Sequence, residues 1–220
     1  MKVYVVIAAY NEEENIAAVV RSVLAVADKV VVVDDCSHDR TGRAASEAGA
    51  EVLSFVVNRG QGAALRAGTR WALADGADVI VHFDADGQFR AEDIPLSVEP
   101  IVAGRAEVVL GSRFLNAATK MPNTKRYLIM PLARFINELA GGIRLTDPQS
   151  GFRVMSAATA SRLEWRQDRM AHCTEILALI SEHQFKVEEV PITVLYHGYG
   201  QRMADGYKIV FDLILKRLLS

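Results

Sequence analysis

Two aspartates, Asp84 and Asp86, stand one residue apart directly after the apolar run 79–83. Hard cations such as Mg²⁺ prefer oxygen ligands, and substrate phosphates usually complete their coordination shell. The spacing alone is weak, since two aspartates this close also occur in solvated surface turns. At the carboxyl end of a buried strand, however, the pair favours a phosphate or nucleotide site. We therefore expect Mg²⁺ or Mn²⁺ as the cofactor.

Apolar runs rich in Val and Ile alternate with helical segments in the first half of the chain. We predict strands at 3–9, 29–33, 51–56, 78–83 and 107–110, and helices at 12–27, 41–48, 62–75 and 92–103. Asn11 is the expected N-cap of the first helix. This alternation is typical of an α/β fold with a mostly parallel central sheet flanked by helices. Polar groups follow three of the strands, at 10–12, 34–35 and 84–86, and these ends should share one ligand crevice.

The pattern changes after Gly111. We expect a loop at 116–123, a helix at 126–140, turns at 146–151, a helix at 175–183 and an edge strand at 186–194. The segment 196–206 has three glycines and no periodicity, which favours a mobile loop. No linker or repeat interrupts the sequence, so we predict a single domain over 1–220.

Composition excludes several classes of protein. A 220-residue chain can bury one large core, and its net charge of −2, without a basic tract, gives no reason to expect nucleic-acid binding. Cys36 and Cys173 lack metal-ligand spacing and favour a reducing, cytoplasmic compartment. No secretory signal or membrane-spanning run is visible. The amphipathic segment 207–219 leaves two interpretations open: a helix packed on the body or on a partner in a homodimer, or a peripheral membrane contact.

Individual side chains suggest further roles. Adjacent strand residues point to opposite sides, so one of Asp34 and Asp35 can face a ligand while the other braces the next turn; we favour Asp35 for the ligand. His82, inside an apolar strand, fits a core histidine better than a ligand. Guanidinium groups suit phosphate contacts, and the candidates for such contacts are Arg113, Arg126, Arg134, Arg153 and Arg202.

Seven motifs in order resemble family 2 glycosyltransferases of the GT-A fold, in particular the polyprenyl-phosphate enzymes typified by dolichol-phosphate mannosyltransferase. The resemblance covers most of the chain. The motifs are Ala9-Tyr10-Asn11-Glu12, the run 33–41 around Asp34-Asp35, Asn58-Arg59-Gly60-Gln61-Gly62 with Gly68, Asp84-Ala85-Asp86-Gly87-Gln88, Gly111-Ser112-Arg113, the run 147–153 from Asp147 to Arg153, and Glu189-Val190-Pro191-Ile192.

The resemblance implies a nucleotide-sugar site in the half of the domain up to about residue 110. Asp35 would recognise the base, and Asp84 and Asp86 would meet the ribose, the diphosphate and the metal, with Gln88 as a further metal ligand. The other implied pocket residues are Ala8, Tyr10, Glu12, Gly60 and Ala85. One departure is Cys36, which stands where the family usually has glycine, so a thiol would lie near the base.

The half from about residue 111 would bind the acceptor. A lipid phosphate is already an anion and needs only positioning, whereas a sugar hydroxyl needs a carboxylate base, for which Asp147 and Glu175 are candidates. Thr174-Glu175 replaces the acidic pair of several relatives that act on hydroxyls, which favours the phosphate. The expected catalytic residues are Asp86, Arg113 and Asp147. The expected acceptor contacts are Arg113, Arg126, Arg134, Ser150, Arg153 and Arg202.

The expected activity is therefore metal-dependent, inverting transfer of a hexose from a UDP- or GDP-sugar to a polyprenyl phosphate, with a role in the cell envelope. Two alternatives remain: a soluble glycosyltransferase acting on a glycan or protein hydroxyl, and a non-catalytic nucleotide-binding domain. A sugar nucleotidyltransferase is disfavoured, because Tyr10-Asn11-Glu12 follows the first strand in place of a glycine-rich basic loop.

Overall fold

The computed structural model describes residues 1–115 and 145–195. Seven strands and six helices are defined within these ranges. They follow the order β1 (Val3–Ala9), α1 (Ile16–Leu24), β2 (Lys29–Asp34), α2 (Thr41–Glu47), β3 (Glu51–Ser54), α3 (Gln61–Ala74), β4 (Val79–Asp84), α4 (Asp93–Val102), β5 (Val108–Ser112), β6 (Arg153–Ser156), α5 (Ala157–Ala160), α6 (His172–Glu182) and β7 (Val187–Pro191). The expectations for 116–144 and 196–220, among them Arg126, Arg134, Arg202 and the amphipathic C-terminal segment, lie outside the described residues.

The strands form one mixed sheet in the order β3-β2-β1-β4-β6-β5-β7. Strands β1 to β4 run parallel, as predicted, and β7 lies at an edge beside β5. Strand β6 was not predicted, and it runs antiparallel to both β4 and β5. Its four residues follow a turn-rich segment and carry a buried arginine, so no apolar alternation marks it in the sequence.

Each face of the sheet is covered by its own apolar cluster. One cluster joins the sheet to α1, α2 and α4 through side chains such as Ile16, Val20 and Ile94. The other joins it to α3 and α6 through Leu65, Ile176 and Trp165. Strand residues buried on both faces explain the continuous Val and Ile runs of the sequence. Among the described residues, no helix has the length and apolar character needed to cross a bilayer.

The first helix starts later than predicted. Asn11 was expected to cap it, but Asn11 has φ 55°, and α1 begins at Ile16 after Asn15. Polar side chains of the 37–41 turn accept hydrogen bonds from the backbone N–H groups of residues 11–13, at 3.0, 2.7 and 3.2 Å. These bonds give the N–H groups partners outside a helix, so residues 11–14 form a turn at the strand end.

Candidate functional site

The three polar strand ends meet, as predicted. Strands β2, β1 and β4 are neighbours in the sheet, and Ala8 of β1 lies in register with Val33 on one side and Asp84 on the other. Parallel strands place their carboxyl ends at one edge, so Tyr10 and Asp35, which follow β1 and β2, and Asp84, which ends β4, lie at the same edge. This edge is the candidate functional site.

Asp84 is held in place from two sides. The amide Nε2 of Gln61, in the first turn of α3, donates to Asp84 Oδ1 at 3.2 Å. Gly151 lies so close that a Cβ there would stand 2.8 Å from Asp84 Oδ2. Burial, and then the neighbouring Asp86 carboxylate, raise the pKa of Asp84 to about 6. Ionising Asp84 beside the negatively charged Asp86 is therefore unfavourable unless a cation compensates the two charges.

Asp86 lies in the turn that follows β4. Its Oδ1 accepts the Gln88 backbone N–H at 3.0 Å, and Gly87 between them has φ 72°, a conformation that glycine adopts without strain. The repulsion between Asp84 and Asp86 fits a site for a hard divalent cation, whose charge would relieve it. No group of three acidic, histidine or cysteine side chains with metal-site geometry occurs within 1–115 and 145–195. The candidate ligand set remains the one expected from the sequence, Asp84, Asp86 and Gln88.

The two adjacent aspartates at the end of β2 have different hydrogen-bond partners. Asp34 Oδ1 accepts the Ser37 N–H at 3.0 Å, so Asp34 braces the turn that follows, as expected for one of the pair. Asp35, only 3% exposed, accepts the backbone N–H groups of Arg59 and Gly60, both at 2.7 Å. The buried Asp35 carboxylate thereby ties the 58–62 loop to the strand end.

Tyr10, Glu12 and Cys36 form the rim beside Asp35. Tyr10 is 43% exposed and packs edge-on against His38, with 6.2 Å between ring centroids. The Glu12 carboxylate accepts the Asn15 side-chain amide at 2.9 Å. Cys36 adopts φ 64°, so it takes the left-handed conformation that a glycine would favour at this turn.

Arg113 and Asp147 form a bidentate ion pair. The Arg113 Nε and Nη2 groups donate to the two Asp147 oxygens at 2.7 and 2.9 Å, and the Asp147 side chain is fully buried. Glu189 holds the same turn, because its carboxylate accepts the Thr146 N–H at 2.8 Å and the Asp147 N–H at 3.1 Å. Glu189 belongs to one of the motifs quoted above, but no role was predicted for it.

Three further candidate residues are buried or accept hydrogen bonds from backbone N–H groups. Ser150 is 5% exposed, and its hydroxyl accepts the Phe152 N–H at 3.3 Å. Arg153 lies within β6 and is 1% exposed, so its guanidinium is shielded from a ligand at the surface. Glu175 accepts the backbone N–H groups of Arg166 and Gln167, at 3.0 and 2.7 Å.

Sequence reasoning missed two residues that organise the site. Gln61, which holds Asp84, appeared only as part of a glycine motif. Asp168 forms ion pairs with Arg59 at 3.3 Å and with Arg66, so it joins the 58–62 loop to the segment before α6. No local pattern marks this pairing, since more than 100 residues separate the partners of each pair.

Residues 4–163 match the family model described as glycosyl transferase family 2. The chain is 33% identical to a UDP-N-acetylglucosamine–dolichyl-phosphate N-acetylglucosaminyltransferase of Methanococcus voltae, across 98% of this chain and 96% of that one. It is 35% identical to an undecaprenyl-phosphate mannosyltransferase of Micrococcus luteus, across 94% and 88% of the two chains.

Among solved structures, the fold is similar to that of glucosyl-3-phosphoglycerate synthase from Mycobacterium tuberculosis in complex with Mg²⁺ and UDP. The TM-score is 0.72 at 20% identity, and the match covers 94% of this chain and 74% of the other. At that identity the likeness concerns the fold, and it agrees with the GT-A architecture expected from the sequence.

Proposed function

This chain belongs to glycosyl transferase family 2, and from that premise we propose that it transfers a hexosyl group from a UDP- or GDP-sugar to a polyprenyl phosphate, with inversion and with a divalent metal. Relatives named for dolichyl-phosphate and undecaprenyl-phosphate substrates align over nearly the whole chain, which supports a lipid phosphate as the acceptor. The glycosyltransferase activity follows from the family, and the donor, acceptor and metal are the proposal.

The observation that carries the choice of acceptor is the state of the two candidate bases. Asp147 is buried and held bidentately by Arg113, and Glu175 accepts backbone N–H groups. A base must be free to take a proton from a hydroxyl, and neither carboxylate is free in this way. A phosphate acceptor attacks as an anion and needs no base, so the arrangement favours it over a hydroxyl.

In the proposed reaction, an acceptor phosphate oxygen attacks the anomeric carbon of the donor, and the bond from that carbon to the diphosphate breaks. Asp35 holds the 58–62 loop beside the nucleotide, and Tyr10 offers an exposed ring at the rim. Asp84, Asp86 and Gln88 would hold the metal. When bound, Mg²⁺ or Mn²⁺ supplies Lewis-acid stabilisation of the departing diphosphate.

On the acceptor side, Arg113 directly follows β5, and its side chain is partly exposed. Asp147 fixes its guanidinium plane through two hydrogen bonds, and Glu189 fixes the turn that carries Asp147. A fixed guanidinium can orient a phosphate without losing side-chain entropy when the phosphate binds. Arg113 is thus proposed to position the acceptor, with Asp147 acting through it.

The donor and metal can be tested by thermal shift with UDP and GDP, with Mn²⁺ or with EDTA. A ligand that binds the folded state raises the melting temperature, so Mn²⁺ together with one of the nucleotides should raise it and EDTA should cancel the rise. Asp86→Asn should lose the metal-dependent part. The exposed Glu92→Gln, which removes one negative charge elsewhere, should keep it. Undiminished metal dependence in Asp86→Asn would contradict the metal assignment.

The acceptor is tested separately, with a radiolabelled donor offered to a short polyprenyl phosphate, to the matching polyprenol and to a glycan. We expect product only with the phosphate. Product with the glycan or with the polyprenol would instead establish transfer to a hydroxyl.

A further inference from the structure

A layer of polar side chains lies beneath the candidate site, between the sheet and α6. His82 of β4 is in register with Arg153 of β6, and Asp84, at the end of β4, lies against Gly151, two residues before β6. Because strand side chains alternate, His82 and Asp84 share the face of Ile80, which packs against α3 and α6. The first residues of α6 are His172, which interacts with His82 and Asp84, and Cys173, which interacts with Arg153.

Arg153 lacks a visible counter-ion in this layer. It is 1% exposed, and its Nε, Nη1 and Nη2 atoms have no hydrogen-bond partner within the described ranges. Burying an unpaired guanidinium costs several kcal/mol, on the order of the effective penalty for a buried ion, unless an anion compensates it. The surroundings of Arg153 must therefore supply negative charge.

Among the described residues, two groups that interact with Arg153 can be anionic, Asp84 and Cys173. Asp84 also faces Asp86 and Gln61 at the site edge, where it belongs to the candidate metal ligands. Cys173 is the anionic partner of Arg153 that lies outside that ligand set. Its Sγ lies 3.5 Å from His172 Nε2, and it stands in the first turn of an 11-residue helix, where the helix dipole favours a thiolate. Burial alone would raise the pKa of the Cys173 thiol, but Arg153 and His172 outweigh it and lower that pKa to about 7.

We propose that Cys173 is held as a thiolate by Arg153 and His172 and is a site of modification by hydroperoxides and other soft electrophiles, and that its modification weakens nucleotide binding at Asp84. Cys173 is partly exposed at the start of α6, so the residue is not sealed inside the core. The thiolate is the reactive form of cysteine. The Arg153 guanidinium stabilises that form, so Cys173 should react faster than a cysteine without a neighbouring cation.

The oxidation needs a hydroperoxide as oxidant. The thiolate sulfur attacks the OH oxygen of the hydroperoxide, the O–O bond breaks, a sulfenic acid forms on the sulfur, and the hydroxide or alkoxide that leaves is protonated by the buffer. Sulfur is oxidised and the peroxide is reduced. The product is neutral, so Arg153 loses the thiolate charge and interacts more strongly with Asp84, which lies in the same layer and belongs to the proposed donor site.

The first test measures the reactivity of the thiol itself. The chain has two cysteines, so Cys36→Ser leaves Cys173 as the single thiol and Cys173→Ser leaves Cys36. Iodoacetamide forms an S–C bond and expels iodide, and mass spectrometry gives its rate at each pH. We expect the Cys173 rate to rise with a midpoint near pH 7 and to exceed that of an ordinary thiol about tenfold at pH 7. A midpoint above pH 8 would overturn the proposal.

The second test links the thiol to the site, and it rests on the proposed function only in its choice of nucleotide. The affinity for UDP or GDP with Mn²⁺ is measured in the Cys36→Ser protein before and after hydrogen peroxide. We expect at least a threefold loss, reversed by dithiothreitol. Modification of Cys173 without any change in affinity would refute the link.

Two substitutions of Cys173, measured in the same affinity assay, separate the effect of its negative charge from the effect of its shape. Cys173→Asp supplies a carboxylate that peroxide does not oxidise, so it should retain affinity and resist peroxide, whereas Cys173→Ala should bind several-fold more weakly from the start. Equal affinity of the Asp and Ala variants would refute the counter-ion role. If neither nucleotide binds the untreated protein, the proposed donor fails, while the iodoacetamide rates still decide the state of Cys173.

Discussion

Asp84 illustrates how a residue at the site depends on neighbours that do no chemistry. Its carboxylate is oriented by Gln61 from one side and backed closely by Gly151 from the other. A side chain at position 151 would collide with Asp84, so glycine is required there for space rather than for a turn. The position of Asp84 is therefore encoded in three separate parts of the chain.

The backbone conformation of Cys36 costs conformational free energy in the folded protein. Its φ of 64° is a left-handed conformation that costs a residue with a Cβ about 1 kcal/mol or more, whereas glycine adopts it freely. We predict that Cys36→Gly raises the free energy of unfolding by roughly 0.5 kcal/mol, after the larger unfolded-state entropy of glycine is counted. Urea denaturation measures this change. Cys36→Ala, which keeps the Cβ, should bring no gain, and an equal gain in both variants would contradict the strain argument.

At the scale of elements, α3 links the site to the core. Its first turn carries Gln61, and its middle presses on the sheet at Gly68, where a Cβ would stand 2.4 Å from Val6 Cγ1. The helix also packs on the segment before α6, because Trp165 Nε1 donates to the Gly62 carbonyl at 2.9 Å. The distance between α3 and the sheet thus determines the position of Gln61 relative to Asp84.

We predict that Gly68→Ala lowers the free energy of unfolding by about 1–3 kcal/mol, the usual cost of overpacking a core. It should also weaken nucleotide binding, since α3 must move outward and carries Gln61 with it. Arg70→Ala, at an exposed position of the same helix, should stay within about 0.5 kcal/mol of the parent. Urea denaturation and nucleotide titration check the two effects. An unchanged Gly68→Ala protein would show that the helix is not confined at this point.

The parallel part of the sheet could be predicted because each strand is a continuous Val and Ile run bounded by turns, and buried strands require such runs. The antiparallel β6 could not, since Arg153 interrupts its apolar character and its partners lie about 45 to 75 residues away in sequence. The start of α1 was misplaced for a similar reason. Asn11 is a residue type that often caps helices, but the backbone N–H groups of residues 11–13 donate to the distant side chains of Ser37, Thr41 and Asp39, which fixes a turn there.

The same distinction holds for the site. Asp34, Asp35, Asp84 and Asp86 follow strands, so their meeting edge was predictable from the order of elements. The contacts that fix them, from Gln61, Arg59 and Glu189, cross the fold and leave no local pattern. The roles of these residues in binding stay a prediction from family resemblance.

For the whole molecule, the buried charge layer couples ionisation to stability. Cys173 of α6 faces Arg153 of β6 and His172 of its own helix, with Asp84 and His82 of β4 in the same layer. Its pKa falls from 9.0 to about 7 on folding. A group whose pKa is lowered by folding stabilises the protein above its unfolded pKa, and that stabilisation is lost as the pH falls through its folded pKa.

The free energy of unfolding of the parent should therefore rise between about pH 7 and pH 9 relative to that of Cys173→Ser, which cannot ionise. A pKa that falls from 9.0 to about 7 corresponds to at most about 2.7 kcal/mol, and screening at a half-buried site reduces the expected gain to roughly 1–2 kcal/mol. Below pH 7 the thiol is protonated in both states, so the difference between the two proteins should level off. Urea denaturation of both proteins at pH 6, 7, 8 and 9 measures that difference, in which the other titrating groups largely cancel. A difference that stays constant from pH 6 to 9 would mean that Arg153 finds its counter-charge in another group, and the thiolate would lose its role in the fold as well as at the site.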